Sequence, residues 1–246
     1  MRNIVTLLTI MTILSQFSCG FAGNNKQTGE HCHNKDSILL LSYKYKEKGK
    51  RKSANGDNLG AIKYYSKAIE LRKDYDTAYY NRAIVKERIG DVKGALKDYN
   101  KAIEISPAFV EPYINQGVLK SEMGDYEGEI ADYHLAIKHC EPSVNLYNNL
   151  GRALYDLERF KESAEAYGEG IKYFPEDYRL YYGRGLARKR TGDKKGACED
   201  WMKSSELGCV QANLLLPLCE EYIQEKNDSL KRHKERDKHW AERTRK

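Results

Sequence analysis

The residues that could do chemistry are few, and none of them forms a spaced constellation. His31, Cys32 and His33 offer three metal-ligating side chains. Adjacent ligands on a polar segment are weak evidence for a metal site, because zinc sites draw on spaced pairs. The sequence contains no CxxC pair, glycine-rich phosphate loop, nucleophile elbow or HExxH motif. We therefore predict no catalytic activity, no cofactor and no bound metal.

The N-terminal segment predicts export. Arg2 supplies a positive charge, and residues 4–14 form an apolar run that is too short for a comfortable membrane span. We interpret residues 1–22 as a signal peptide and residues 23–41 as a polar linker that leads into the first helix. The expected location is the periplasm or the cell envelope.

Two processing routes fit this signal peptide. Small residues before the linker suit ordinary cleavage after Ala22. Alternatively, Cys19 and its neighbours resemble the lipid-modified cysteine of bacterial lipoproteins, which would anchor the protein to a membrane. Gln16 stands where that motif has an apolar residue, so both routes stay open.

Cys198 and Cys219 are candidates for a disulfide. If the chain reverses direction near Gly208, residues equidistant from this point face each other, and Cys198 then meets residues 218–220. An exported compartment permits the bond. Two buried thiols are the alternative.

A 34-residue period runs without a gap from residue 42 to residue 211. An aromatic column has this spacing: Tyr65, Tyr99, Tyr133, Tyr167 and Trp201. A small-residue column keeps step with it: Gly49, Ala83, Gly117, Gly151 and Gly185. Self-similarity at this period indicates stacked helical hairpins. Because two helices approach closely only where one side is small, we expect each aromatic ring to pack on its small partner.

The turns between paired helices have a signature of their own. Gly-Asp pairs recur at one repeat position: Gly56-Asp57, Gly90-Asp91, Gly124-Asp125 and Gly192-Asp193. Glycine adopts the left-handed conformation that ends a helix, and aspartate caps the next one. Pro107 and Pro175 close second helices, since proline cannot continue them.

These columns resemble the tetratricopeptide repeat family. The resemblance implies an all-α, right-handed α-solenoid of five helix-turn-helix repeats with a C-terminal capping helix. The predicted repeats are 42–75, 76–109, 110–143, 144–177 and 178–211, followed by a capping helix at 210–225. The segment 196–208 also resembles the last repeat of exported repeat proteins in the Bacteroidetes group.

Repeats three and four depart from the pattern. Glu129 stands where other repeats have alanine, and Glu158-Arg159 replaces Gly-Asp. We expect these two repeats to pack less regularly.

The net charge of +6 is localised at the ends of the chain. Residues 226–246 carry nine Lys and Arg against four Asp and Glu. Arg2 lies in the signal peptide, so residues 23–225 are neutral in sum. A neutral body does not favour nucleic acid as a partner. The tail has few apolar residues, so it is a solvated helix or disordered; it either contacts anionic partners or lipid head groups, or serves as a solubilising end.

One column is not explained by packing or turns. Asn81, Asn115 and Asn149 occupy the same position of three successive first helices, which line the concave face of solenoids in this family. An amide side chain offers donors and an acceptor, so it can pair with both groups of a peptide backbone. The alternative is that asparagine serves helix–helix hydrogen bonding here.

Neighbouring positions complete a predicted groove. Its apolar middle is formed by four residues: Tyr80, Ile84, Ile114 and Val118. Its cations are Lys46 and Lys50 at one end, and Arg152 and Arg179 toward the other. We predict a non-enzymatic adaptor that binds an extended or helical protein segment there. The second hypothesis is an envelope assembly or stress-response lipoprotein that acts as a spacer and docks through its basic tail.

Overall fold

A computed structural model describes the backbone of residues 26–243. Within this range, the side chains of residues 26–34, 225, 230, 235 and 237–243 are not described. The predicted signal peptide with Cys19, and the side chains of His31, Cys32 and His33, therefore lie outside the description. The chain divides into two compact units, Met1–Ser106 and Pro107–Lys246, and each is described by itself.

The first unit contains two helical hairpins. Its helices are α1 (Lys26–Ala54), α2 (Asn58–Leu71), α3 (Asp76–Arg88) and α4 (Val92–Ile105). Each helix packs on the next along the chain. The predicted polar linker differs from the structure, because α1 already begins at Lys26. No proline interrupts the segment between residue 26 and residue 54, so nothing prevents the first helix from extending backward.

The second unit continues the same alternation of helices. The helices of its three hairpins are α5 (Val110–Glu122), α6 (Tyr126–His139), α7 (Val144–Asp156), α8 (Phe160–Tyr173), α9 (Tyr178–Arg190) and α10 (Lys194–Glu206). Consecutive helices pack together throughout. The described residues contain helices and no strand, which confirms the predicted all-α repeat fold.

Close contact between a small residue and an aromatic ring holds each hairpin together. A Cβ atom at Gly117 would lie 2.8 Å from the ring of Tyr133, and one at Gly185 would lie 2.5 Å from the indole of Trp201. Real Cβ atoms do not approach other atoms so closely, so the ring occupies space that only glycine leaves open. The predicted pairing of the two columns is confirmed at these positions.

The turns are capped as the sequence predicts in four of the five hairpins. The Asp57, Asp91, Asp125 and Asp193 carboxylates each accept a hydrogen bond from the backbone N–H of a glycine three residues later. That glycine has a second effect, because a Cβ atom there would press on the capping carboxylate itself. The capping hydrogen bond therefore depends on the glycine as well as on the aspartate.

Repeat four uses a different turn. Glu158 takes the left-handed backbone conformation, with φ of 60°, that glycine provides elsewhere. Arg159 makes no side-chain cap, and its guanidinium instead pairs with Glu162 at 2.6 and 2.8 Å. The helices of repeats three and four, α5 to α8, have the same lengths, 13 and 14 residues, as α3 and α4, so the departure at this turn leaves helix length unchanged.

The C-terminal cap is broken rather than continuous. The predicted helix over 210–225 is replaced by α11 (Val210–Asn213), a 3-10 turn (Leu216–Cys219) and the start of α12 (Glu220–Arg243). Pro217 lies at the start of the 3-10 turn and has no N–H to donate, which explains the interruption.

This break changes which side chains cover the last repeat. Cys209, Ala212 and Cys219 are buried against α10. Val210, Leu214 and Leu218, which a continuous helix would have turned inward, are 69, 77 and 63 % exposed. The predicted disulfide between Cys198 and Cys219 is present, with a Cα–Cα distance of 5.6 Å, and it ties the cap to α10. Helix α12 then carries the basic tail as far as Arg243.

The left-handed residue of repeat four generates a stability prediction. Glu158→Gly should raise the free energy of unfolding by about 1 kcal/mol, because glycine adopts this conformation without a Cβ penalty. Urea unfolding followed by circular dichroism measures the change. The matched control is Glu165→Gly inside α8, where glycine should lower stability by about 1 kcal/mol. An equal loss in both variants would contradict the assignment of strain to Glu158.

Candidate functional site

Positions 34 residues apart on successive first helices face each other in the second unit. The Arg179 guanidinium on α9 donates a hydrogen bond to the side-chain oxygen of Asn145 on α7 at 3.3 Å. These two residues occupy equivalent repeat positions. The columns of the first helices therefore run across one surface there, and side chains of one column can act together.

The asparagine column lies half-buried on these first helices. Asn115 belongs to α5 and Asn149 to α7 in the second unit, whereas Asn81 belongs to α3 in the first. Among the described residues, none hydrogen-bonds to the side-chain amide of Asn81 or of Asn149. Half-buried amides in this state have donors and an acceptor to offer to a ligand.

The predicted apolar positions are accessible in part. Ile114 and Val118 are half-buried on α5, one turn apart. In the first unit, Tyr80 and Ile84 are half-buried on α3, and the ring centroids of Tyr80 and Tyr99 are 6.1 Å apart. Each unit therefore presents an apolar pair on its first-helix surface.

Two of the four predicted cations are already paired. Lys46 Nζ lies 2.9 Å from a carboxylate oxygen of Glu47. Burial lowers the pKa of Lys46, but the hydrogen bond to Glu47 and nearby charges outweigh it, and the net shift is upward. Arg179 binds Asp177 through two nitrogens, at 2.8 and 3.0 Å, and this hydrogen bonding lowers the pKa of Asp177.

The remaining two cations, Lys50 and Arg152, are exposed. The first-helix surfaces thus carry less unpaired positive charge than the sequence suggests. Apolar and amide contacts are therefore expected to contribute more to binding than charge does.

Buried ion pairs brace the hairpins, and the sequence analysis missed them. In repeat two, Arg82 binds the buried carboxylate of Asp98 with two nitrogens at 2.7 and 2.8 Å, and Lys86 binds it at 2.8 Å. Repeat five repeats this arrangement around Asp200, with Arg184 at 2.6 and 2.9 Å and Arg188 at 3.0 Å. A buried carboxylate held by two cations fixes the first helix on the second.

Repeat three has a reduced version of this cluster. Lys120 binds Asp132 at 2.8 Å, but Gln116 stands where repeats two and five have arginine. Burial raises the pKa of Asp132, and the hydrogen bond from Lys120 offsets this only in part.

Repeat four replaces the ion pairs with apolar side chains. Leu150, Leu154 and Ala166 stand at the positions of the two cations and the carboxylate, and all three are buried. The exchange is complete, so no charge is left without a partner. The sequence contains a signal for these ion pairs, because three columns change together. Each buried aspartate directly precedes the aromatic residue of its repeat, and its two cations lie sixteen and twelve residues before the aspartate.

Among the described residues, no group of three or more His, Cys, Asp or Glu side chains could hold a metal ion. None of the helices in the described part of the chain is long and apolar enough to cross a bilayer. What the surfaces offer is half-buried amides, apolar side chains and exposed charge. These define a helical-repeat protein whose surfaces are suited to binding other polypeptides.

The sequence profile of the tetratricopeptide repeat matches residues 47–108 and 148–206. These two segments are therefore similar to the tetratricopeptide repeat family, as the columns predicted. No curated protein matches the chain. No catalytic family is indicated, and proteins built from these repeats are typically non-enzymatic scaffolds that bind peptide or protein partners.

Solved structures share the fold at low sequence identity. A crystal structure of MamA superposes with a TM-score of 0.59 at 22% identity, over 68% of this chain and 91% of that one. PilF of Pseudomonas aeruginosa gives 0.59 at 16% identity, over 79% and 88%. YrrB, described as a protein of this repeat family with an unusual peptide-binding site, gives 0.56 at 18% identity, over 69% and 88%. The resemblance to the Bacteroidetes group stays a prediction.

The buried ion pairs generate a prediction about stability. Asp98→Ala should lower the free energy of unfolding by about 3 kcal/mol, because it leaves two largely buried cations without a counter-charge. Arg82→Leu/Lys86→Leu/Asp98→Ala copies repeat four and should unfold within about 1 kcal/mol of the wild type. Urea unfolding compares them, with the exposed Asp74→Ala as a control that should change little. A triple variant as unstable as Asp98→Ala would refute this account.

Asp132 generates a prediction about pH. Because its pKa is raised in the folded protein, protonation favours folding, and this stabilisation is lost as pH rises through the folded pKa. Wild-type stability relative to Asp132→Asn should therefore increase as pH falls from 7 toward 4. Thermal unfolding of both proteins across this range measures the difference. A difference that shrinks toward acid would show that the pKa is lowered instead.

Proposed function

We propose that this protein is an exported adaptor that binds an extended or helical peptide segment on the first-helix surfaces of its repeats. The observation that carries the proposal is the half-buried amide of Asn149, together with that of Asn81 in the other unit. Their side chains lack hydrogen-bonding partners among the described residues. A half-buried amide that no protein group binds can exchange its water for the donor and acceptor of a peptide backbone.

In the second unit, the ligand contacts Asn115 and Asn149 through its backbone and Ile114 and Val118 through apolar side chains. Burial of apolar surface supplies affinity, and the amides fix the direction of the chain. Exposed Arg152 favours an acidic flank, whereas Arg179 contributes less because Asp177 already binds it. The mechanism is binding without chemistry.

Two further observations support parts of the proposal. A disulfide between Cys198 and Cys219 suits an oxidising compartment, as an exported protein would meet. YrrB, which shares the fold, has an unusual peptide-binding site, and this supports peptides as the class of ligand.

The competing proposal is a spacer that docks through its basic tail. The exposed cations of α12 favour it, including Lys231, Arg232 and Lys234. A lipid anchor at Cys19 belongs to this proposal and is tested by labelling the cells with a radioactive fatty acid.

Peptides selected from a random library on the wild-type protein give the probe for the groove. Asn115→Ala/Asn149→Ala should weaken binding of such a peptide by about 2 kcal/mol, roughly thirtyfold in Kd, through loss of backbone hydrogen bonds. Calorimetric titration measures the change. Asn81→Ala is tested separately, because it belongs to the other unit.

The matched control is Asn55→Ala/Asn227→Ala, which removes two exposed asparagines elsewhere and should leave Kd unchanged. A peptide with N-methylated backbone amides should bind weakly to the wild type and equally weakly to the Asn115/Asn149 variant. Deletion of residues 226–246 should leave binding intact. Loss of binding on this deletion, with no effect of the asparagine changes, favours the tail.

A further inference from the structure

An open cleft of about 880 Å³ lies between α3 and α4 in the first unit, and we call it the repeat-two cleft. Its floor is the buried ion-pair cluster of that repeat, since Arg82, Lys86 and Asp98 all belong to the lining. Tyr79 and Leu96 add an aromatic and an aliphatic side chain. Every residue of the lining belongs to these two helices, so the cleft is accessible from the other side.

The lining of the repeat-two cleft carries an excess of positive charge. It contains five Lys and Arg side chains and two carboxylates, those of Asp98 and Glu104. Two of the cations bind Asp98, and Glu104 lies 2.7 Å from Lys101 Nζ. Lys93 and Lys97 are exposed, and neither forms an ion pair with a described residue. The cleft therefore offers two ammonium groups, one helical turn apart, beside its apolar side chains.

Repeat five has the same floor, and there a segment of the chain itself covers the neighbouring surface of α10. Cys198 on α10 forms the disulfide with Cys219. Tyr222, at the start of α12, donates a hydrogen bond from its hydroxyl group to Glu199 at 2.7 Å. The ring of Tyr222 also lies 6.0 Å from Lys195 Nζ. A short helical segment with one aromatic side chain is thus held on this surface.

The positions that receive this segment have counterparts in the repeat-two cleft. By the 34-residue period, Lys195, Cys198 and Glu199 correspond to Lys93, Leu96 and Lys97. Leucine in place of cysteine receives an apolar side chain rather than a disulfide. Lysine in place of glutamate reverses the requirement at that point, because an ammonium group needs an acceptor, and a carboxylate is the strongest one.

A polypeptide fits the repeat-two cleft better than nucleic acid does. The Arg82 guanidinium lies 5.5 Å from the centroid of the Tyr79 ring, so one face of this aromatic ring is already covered, whereas bases stack on free faces. Residues 26–106 carry 18 Lys and Arg against 11 Asp and Glu, a net charge of +7. Residues 107–225 carry 14 against 21, a net charge of −7. Positive charge is confined to one unit, which favours a short acidic segment over a long polyanion.

We propose that the repeat-two cleft binds a short acidic, amphipathic helix of a partner protein. Carboxylates of this helix bind Lys93 and Lys97, and an apolar side chain packs on Leu96 and Tyr79. The arrangement follows the one by which residues 219–222 lie on α10. Charge selects acidic partners and speeds their association, and the apolar contact adds affinity.

The cleft is separate from the peptide surface on the first helices. With about 3.6 residues per turn, Tyr79, Arg82 and Lys86 lie on the side of α3 opposite to Tyr80 and Ile84. The proposal adds a second binding site and does not depend on the first.

A library of helical peptides of about 15 residues, randomised along one face, tests the proposal. It is sorted on the full-length wild type and, in parallel, on Lys93→Glu/Lys97→Glu. Peptides retained by the wild type alone should carry an excess of Asp and Glu beside an apolar residue, and peptides retained by the variant alone should carry Lys and Arg instead. Calorimetric titration of the best acidic peptide should give a Kd at least about tenfold weaker for the variant, and weaker again for the wild type at high salt.

The matched control is Lys44→Glu/Lys73→Glu, which makes the same change in net charge at two exposed positions elsewhere in the first unit. It should bind the acidic peptide within about threefold of the wild type. Asn115→Ala/Asn149→Ala should also leave this binding unchanged, because it alters the first-helix surface of the other unit. Circular dichroism confirms that all variants are folded.

Three results would overturn the proposal. They are the absence of an acidic excess among the peptides that distinguish the wild type from the variant, a control as impaired as Lys93→Glu/Lys97→Glu, and tighter binding of single-stranded DNA than of the best acidic peptide. The last result would assign the cleft to nucleic acid instead.

Discussion

The close approach of two helices in each hairpin is the constraint on which the rest of the structure depends. A ring from the second helix fills the space where a Cβ atom of the first would otherwise lie, as Tyr133 does against Gly117. This contact sets the distance and rotation between the helices, and the 34-residue period repeats it. Surface columns exist only because this packing recurs: the hydrogen bond from Arg179 to Asn145 forms across two helices that the hairpins have placed side by side.

The interior of the hairpins shows two physical solutions to one packing problem. Asp98 and Asp200 are buried with two cations each, whereas repeat four fills the same space with leucine and alanine. Removing water from charges is costly, and only a complete set of partners compensates for it. Asp132, with a single cation, lies between these extremes, and its raised pKa is the result. The hairpin tolerates either solution because the small-residue column, alanine in repeat two and glycine in the other four repeats, is common to all of them.

The sequence predicted those features that depend on steric fit within one repeat. Small and aromatic columns, turns and the Cys198–Cys219 pair follow from spacing, and the structure contains them. The break in the C-terminal cap was not predicted, because apolar residues recur at helical spacing over 210–223 on both sides of Pro217, whereas this proline lacks the N–H that a continuous helix needs. Summing charge over the whole body concealed the opposite signs of its two halves. The groove residues were inferred from column position alone, and position cannot reveal that Asp177 already binds Arg179.

The capping aspartate and the glycine three residues after it have an evolutionary consequence. A side chain at Gly94 would force the Asp91 carboxylate to turn away from the N–H that it caps. Substitution at either position therefore removes the reason for the residue at the other, since the cap needs both. Changing both residues together is then favoured. Repeat four has taken this route: arginine and glutamate occupy the two positions and attract each other through their charges. Within this chain the two positions therefore differ together, and a change at one predicts a change at the other.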